Sequence, residues 1–274
     1  MPELPEIETI RTGLTPWLIG RRICRIEHHV TRLRWPLPVD AMQHELPGQT
    51  IRALHRRGKY LLWELDTGHL VIHLGMSGRL FRDDPQRNRT RHDHLFWILD
   101  DESRICLHDP RRFGAVLWIK GIWQQHPLFI SLGREPLESD FDAAWLWQNG
   151  QGRRVALHAW LIQGRVVVGV GNIYAAEALH LAGLHPARPA HSLSQNEAQA
   201  LVDAVRQVLN QAIAMGGTTV RDYRQSDGSM GYFAVALQVY GRENLPCPRC
   251  ATPIARLRLG QRSVYYCPDC QPAL

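Results

Sequence analysis

At 274 residues, 45% of them hydrophobic and nine of them Trp, the chain is long and apolar enough for two domains with cores of their own, which excludes a disordered or fibrous protein. Glu3, Glu6 and Glu8 interrupt any secretory apolar stretch at the start, and no apolar run reaches membrane-spanning length; six Cys, four of them in CxxC pairs, point to metal in a reducing cytoplasm rather than to disulfides. The net charge of +6 rests on arginine, because only Lys59 and Lys120 of the 32 basic residues are lysines; guanidinium forks suit phosphate, so nucleic acid is a candidate partner, although an ordinary basic enzyme would look the same.

The chain opens Met1-Pro2-Glu3-Leu4-Pro5-Glu6. Pro and Glu suit the first turn of a helix, through the fixed φ of proline and the attraction of acids to the N-terminal dipole. They also have a chemical reading. With Met1 removed, Pro2 is a secondary amine able to condense with a sugar aldehyde carbon to a cationic imine. An α-amino group titrates near pH 8, about two units below lysine, so far more of it is nucleophilic at neutral pH. Glu3 and Glu6 then stand close by for proton transfer or for stabilising positive charge. Residues 5–19 follow as an amphipathic helix, with Ile7, Ile10, Leu14 and Trp17 on one stripe, Gly20 past the end, and Pro16 placed to kink or shorten it.

From residue 22 to about 120 the pattern changes to short β runs at 23–30, 50–55, 60–65, 70–74, 79–81, 95–99, 104–108 and 115–119, with turns at Asp66-Thr67-Gly68 and Asp100-Asp101-Glu102-Ser103. Closely spaced strands of this kind predict an antiparallel sandwich or barrel. Cys24 and Cys106 fall within strands and read as core thiols. Lys59 sits between Arg56-Arg57-Gly58 and the apolar Tyr60-Leu61-Leu62, where it is either a phosphate contact or proton carrier, or a strand-edge lysine whose stem snorkels. His73-Leu-Gly-Met-Ser-Gly78 and Asp109-Pro-Arg-Arg-Phe-Gly114 are tight loops that expose Met76, and Arg111 with Phe113. An apolar wedge beside an arginine can unstack a duplex and fill the gap left by an extruded base, although taken alone these are as well read as core residues flanking turns. In His92-Asp93-His94 adjacent strand residues alternate sides, so His92 reads as a phosphate or hydrogen-bonding residue rather than half of a metal pair.

Past Pro127 the β signal fades. Residues 131–139 read as a linker, and helices are predicted at 141–149, 154–163, 172–183 and 194–215. The last has a Ser194/Glu197 capping box, an apolar stripe and a Gly216-Gly217 stop. Gly164-Arg-Val-Val-Val-Gly-Val-Gly-Asn-Ile-Tyr174 is a glycine-rich turn feeding a helix, where backbone amides and Asn172 suit a DNA phosphate, with helix packing as the equal alternative. It lacks any nucleotide-binding fingerprint. Residues 216–232, rich in Gly, Ser, Thr and Asp, read as a long mobile loop. Cys247-Pro-Arg-Cys250 and Cys267-Pro-Asp-Cys270 are two knuckles that together close a tetrahedral, structural zinc site. Between them run two short strands with Arg262 at the tip, either gripping phosphate or simply solvated.

Pro2-Glu3-Leu4-Pro5-Glu6, Lys59 before a strand, Gly75-Met76-Ser77-Gly78, Asp109-Pro-Arg-Arg-Phe113, Val168-Gly-Val-Gly-Asn-Ile-Tyr174 and the four-cysteine tail occur in one order along the chain. That order resembles the bacterial formamidopyrimidine-DNA glycosylases, bifunctional repair enzymes that remove 8-oxoguanine and ring-opened purines. The related endonuclease VIII branch, directed at oxidised pyrimidines, has Gly where this chain has Leu4 and lacks the DPRRF-type loop, so the purine branch is implied. A pyrimidine glycosylase and a non-catalytic zinc-ribbon DNA-binding protein are the alternatives.

The resemblance implies an α+β multidomain chain: an N-terminal antiparallel β-sandwich with an N-terminal helix (1–130), a linker (131–139), a helix–two-turn–helix DNA-binding domain (140–244) with a lesion-capping loop at 216–232, and a C-terminal zinc finger (245–274). It implies that Pro2 forms a Schiff base, Glu3 assists ring opening, Lys59 contacts phosphate and acts as acid in β-elimination, and Arg262 binds lesion phosphates and supports δ-elimination. Met76, Arg111 and Phe113 fill the vacated duplex space, while His92, Arg111, Arg153 and Asn172 contact the backbone or opposite strand. Cys247, Cys250, Cys267 and Cys270 hold one Zn2+. Where many relatives have a lysine-rich turn, this chain reads Gln151-Gly152-Arg153-Arg154, which keeps the charge and leaves the register open by one residue. The implied partner is damaged double-stranded DNA, bound by a monomer in the bacterial cytoplasm without any membrane.

Overall fold

The structure, a computed structural model, describes residues 2–84, 86–218 and 236–273. These form two compact units, one of residues up to 130 with 215–218, the other of residues 131–214 and from 236 on. The expected lesion-capping loop falls, from residue 219 onward, outside the described residues. No helix among them is long and apolar enough to cross a membrane.

The first unit begins with helix α1, Leu4–Leu18. Leu4, Ile7, Ile10, Leu14 and Leu18 recur at helical spacing and are all buried. Leu18 rather than Trp17 closes that stripe: Trp17 is 47% exposed, and the Arg82 guanidinium lies 4.0 Å from its ring centroid. Pro16 does not end the element early. It sits in the last turn, where the chain leaves the helix within a few residues.

Eight antiparallel strands follow: β1 (Ile23–His28), β2 (Ile51–Arg57), β3 (Tyr60–Leu65), β4 (Gly68–His73), β5 (Arg79–Asp83), β6 (Asp93–Leu99), β7 (Arg104–His108) and β8 (Ala115–Lys120). They form two four-stranded sheets, ordered β1-β6-β7-β5 and β2-β3-β4-β8. Inward residues of both sheets join α1 in one core, with the Trp63 and Trp97 rings 5.1 Å apart across it. The sandwich, not the barrel, is therefore what the alternation builds. Strand alternation also places Ile23 in that core and leaves Cys24 exposed, so Cys24 is not a core thiol, whereas Cys106 is buried and its thiol pKa is pushed up by burial. A short helix α2 (Val39–His44) and a helical turn α3 (Pro127–Ile130) complete the unit.

The second unit contains α4 (Ala143–Gly150), α5 (Leu157–Ile162), α6 (Asn172–Leu181) and α7 (Gln195–Ala214). Asp142 caps α4 by accepting the Trp145 N–H at 2.7 Å. The expected capping box starts α7: Ser194 N–H donates to Glu197 at 2.9 Å and Glu197 N–H to Ser194 Oγ at 3.2 Å. Glu197 also carries Arg188 at 2.6 Å, and these hydrogen bonds, opposed by burial, hold its carboxyl at about 2. Helix α5 starts three residues later than the expected 154, because Ala156 forms a bridge with Pro189 before the helix begins. A two-stranded hairpin, β9 (Ala255–Leu259) and β10 (Arg262–Tyr266), lies between the cysteine pairs. Gly260 and Gln261 make its turn, so Arg262 is the first residue of β10, opposite Leu259, rather than the tip itself.

Candidate active site and metal centre

Pro2 and Glu3 are both buried at the start of α1. One carboxylate oxygen of Glu6 accepts the Glu3 N–H at 2.7 Å, as in a capping box, and the other accepts the Thr218 N–H at 2.7 Å. Gly217 has φ +82, and a Cβ there would lie 2.9 Å from Glu6 Oε1. Glu6 thus ties Glu3, the residue after the candidate nucleophile, to the chain that follows α7. One turn on, Glu8 bridges Arg11 at 2.6 Å and Arg56 of β2 at 3.0 Å. Burial pushes the Glu8 carboxyl up, but the two guanidinium groups outweigh it and hold the pKa below its usual value. Arg56 in turn donates to the Gly58 carbonyl at 3.3 Å, within the β2–β3 turn that presents the half-buried Lys59. The cation of Lys59 is felt by His73, whose pKa is pushed down to about 4 by burial first and by Lys59 and Arg34 next.

The two loops that bear Met76 and Phe113 are built against each other. His73 Nδ1 accepts the Gly75 N–H at 3.0 Å, and Gly75 has φ +62, with room only for hydrogen: a Cβ would come within 2.4 Å of the Phe113 backbone. Asp109 is fully buried and organises both loops. It accepts the Gly114 N–H at 2.7 Å and the Ser77 hydroxyl at 3.4 Å, and its carbonyl meets His94 Nε2 at 2.9 Å. Met76 and Phe113 are 42% and 44% exposed, which disposes of the reading as core residues flanking turns. The Arg111 guanidinium lies 4.6 Å from the Phe113 centroid.

His92 is half-buried, and its ring meets His108 edge-on at 5.8 Å. Arg91 donates to its Nε2 at 3.3 Å. Asp93 is buried, paired with His108 at 2.7 Å and Arg87 at 3.0 Å, and accepts the Thr90 N–H at 2.7 Å. Burial raises its pKa, but these three donors win and bring it down to about 2. His92 therefore precedes β6, and it and Asp93 both meet His108, Asp93 from the buried side.

In the second unit Gly171 caps α6 and Asn172 is its first residue. The Asn172 amide donates to the Ser263 carbonyl at 3.1 Å, which sets it beside Arg262 on β10. Arg262 and Arg153 are exposed; Arg153 lies on the α4–α5 connection after Gly152 (φ +71), where its carbonyl accepts the His191 N–H at 3.0 Å. Sequence reasoning missed His158. It is completely buried in α5, and its pKa is pushed down to about 4 by burial, against a contribution from the Asn172 backbone and aided by the Arg262 cation. Neither of its ring nitrogens meets full hydrogen-bond geometry. Nothing local marks it, since it occupies an ordinary apolar position of α5. Asp109 and Glu6 were equally illegible as organisers, because Ser77 and Thr218, which they join to nearer partners, are distant in sequence.

The sulfurs of Cys247, Cys250, Cys267 and Cys270 all lie within 4.8 Å of one another. Individual Sγ–Sγ separations of 3.4, 3.5 and 3.9 Å match the edge of about 3.8 Å expected for a tetrahedron of thiolates about 2.3 Å from zinc. The donor set is four sulfurs with no position left for water, so it fits a structural Zn2+.

Three family models match in chain order: the formamidopyrimidine-DNA glycosylase N-terminal domain over residues 1–116, the H2TH domain of the same enzymes over 132–224, and the zinc finger found in FPG and IleRS over 244–273. The chain is 51% identical over 271 residues to the formamidopyrimidine-DNA glycosylase of Thioalkalivibrio sulfidiphilus, covering 99% of this chain and all of that one. It is 52% identical over 278 residues to that of Laribacter hongkongensis, at 99% and 100% coverage. Among solved structures it resembles the Lactococcus lactis enzyme in complex with DNA containing an abasic site, with TM-score 0.91 and 33% identity over 99% of this chain and 100% of that one. The protein from Thermus thermophilus matches with TM-score 0.86 and 38% identity over 98% of each chain. Three successive domain matches and near-complete coverage leave one conclusion: the chain belongs to the formamidopyrimidine-DNA glycosylase family.

Proposed function

We infer that the protein is a DNA-repair glycosylase and AP lyase that binds damaged duplex DNA and removes oxidised purines such as 8-oxoguanine and formamidopyrimidines. The observation that carries this reading is the pair of exposed wedge residues, Met76 and Phe113, held with Arg111 on mutually braced loops in a chain whose full length matches the family. Extruding a base costs a few kcal/mol, least for a damaged one, and side chains that fill the vacated stack offset that cost.

The amine of Pro2, freed by loss of Met1, attacks C1′ of the damaged nucleotide as the glycosidic bond breaks and the base leaves with its electron pair. Glu3 assists opening of the sugar ring, giving an imine that carries positive charge. The imine acidifies the C2′ proton; its removal expels the 3′ phosphate with Lys59 as acid, and a second elimination, supported by Arg262, expels the 5′ phosphate. Hydrolysis of the imine returns Pro2. His92, Arg111, Arg153 and Asn172 hold backbone or opposite strand, and Zn2+ bound by the four cysteines fixes the hairpin that carries Arg262. In domain terms we assign 1–130 to the catalytic sandwich, 131–139 to the linker, 140–244 to the helix–two-turn–helix domain with its lid at 216–232, and 245–274 to the finger. The protein acts as a monomer in the bacterial cytoplasm.

The test is borohydride trapping on 8-oxoguanine and thymine glycol duplexes, with mass spectrometry of the N-terminus. A covalent adduct on the 8-oxoguanine duplex, and little on thymine glycol, is expected. A confirmed Pro2 terminus without any adduct would sink the mechanism, and preferential trapping on thymine glycol would move the substrate class to oxidised pyrimidines.

A further inference from the structure

His180 lies in the last turn of α6, 1% exposed, and its Nε2 is 3.5 Å from the sulfur of Cys247. The same sulfur receives the Arg249 N–H at 3.4 Å, from within its own knuckle. The His180 carbonyl accepts the Arg249 guanidinium at 3.1 Å, so the residue is joined to the first knuckle by both ring and backbone. One turn earlier on α6, Glu177 accepts the N–H groups of Gln238, Val239 and Tyr240 at 2.9, 3.0 and 2.8 Å, and Ala176 packs in the core of the finger. Helix α6 is thus the mount of the metal site, and His180 is where its side chains touch a ligand sulfur.

A thiolate bound to a metal offers lone pairs and no proton. An imidazole nitrogen in contact with it must carry the hydrogen, so the geometry selects the Nε2–H tautomer. His180 is not itself a ligand: the four sulfurs complete the donor set, and its nitrogen faces one of them. An N–H directed at a ligand sulfur draws negative charge from it, fixes its lone-pair direction, and makes it a poorer target for protons and electrophiles.

We propose that His180 is a positioning residue of the zinc site, donating Nε2–H to the Cys247 thiolate and so slowing loss of the metal. This rests on the zinc reading of the four cysteines. It also links metal retention to the other end of α6, where Asn172 holds the Ser263 carbonyl beside Arg262.

The full-length protein is tested as wild type, His180→Phe, which keeps an aromatic ring without the donor, and His180→Gln, which restores an N–H. Zinc content is measured first, then the rate of zinc transfer to 4-(2-pyridylazo)resorcinol and the sulfur-to-cobalt charge-transfer band after Co2+ substitution. His180→Phe is expected to hold one zinc, release it roughly tenfold faster, and shift the cobalt band to lower energy, with His180→Gln between it and wild type. Independently of any variant, 15N spectra of the wild-type imidazole are expected to show the Nε2–H tautomer. Wild-type release and an unshifted band in zinc-loaded His180→Phe, or the Nδ1–H tautomer in the wild type, overturn the proposal. Wild-type protein without zinc overturns the reading beneath it as well, and is distinguished by the metal content alone.

Discussion

At the residue scale one buried carboxylate organises the start of the chain. Glu6 accepts main-chain N–H groups at both oxygens, those of Glu3 and Thr218, and so holds the backbone next to Pro2. In Glu6→Gln an NH2 must face one of those donors, leaving it unsatisfied. We expect a loss of about 1–3 kcal/mol in stability by denaturant titration, together with slower borohydride trapping. Pro2→Gly tests the nucleophile directly: trapping on an 8-oxoguanine duplex should fall sharply while gel-shift affinity stays near wild type. His73 and His158 give a pH signature. Each has a folded pKa of about 4 against about 6.5 in the unfolded chain, so the unfolded state binds more protons between these values and stability declines as pH falls through that window. Protonated His73 would also lose its acceptor for the Gly75 N–H, loosening the Met76 loop from below. The urea midpoint should therefore drop from pH 7 to pH 5, and by less in His73→Phe.

At the element scale the wedge is a pair of loops, not a pair of residues. Phe113→Ala removes a half-exposed ring, so its stability cost should stay under about 1 kcal/mol, yet base release should slow by about tenfold or more, with cleavage of a preformed abasic site less affected. Gly75→Ala does the reverse: a Cβ at φ +62 collides with the Phe113 backbone, so folding suffers first. Single-turnover kinetics on both substrates, paired with thermal melts, separate the two. The elements themselves were largely legible. All eight strands of the sandwich and helices α1, α4, α5, α6 and α7 announce themselves through period and punctuation, because burial on one face imposes both. Helices α2 and α3 were missed, since α2 buries only Ala41 and Met42 and α3 only Phe129, too few to show a period. Trp17 misled because hydrophobicity alone cannot say that a neighbouring leucine takes the inward place. The exposure of Met76 and Phe113 and the grouping of the four cysteines were readable from local pattern. Asp109, Glu6 and His180 were not, since each acts through a partner that only the fold brings near.

For the whole molecule, helix α6 joins the cysteine site, through His180, to the hairpin residue Ser263 beside Arg262, through Asn172. Cys247→Ala should weaken DNA binding through loss of the finger and leave the melting of the β-sandwich unchanged, as measured by titration calorimetry and near-ultraviolet circular dichroism of its tryptophans. An unaltered affinity in that variant would refute the coupling. The span of α6 from Asn172 to His180 has a further consequence for the DNA itself. If Arg262 drives the second elimination, a protein that has lost its metal should still cut once, through the sandwich alone, and stop. The break would then keep an unsaturated aldehyde at its 3′ end instead of a phosphate. Metal status would be recorded in the chemistry of the gap, and it would decide which kind of end-cleaning activity the next step of repair must supply.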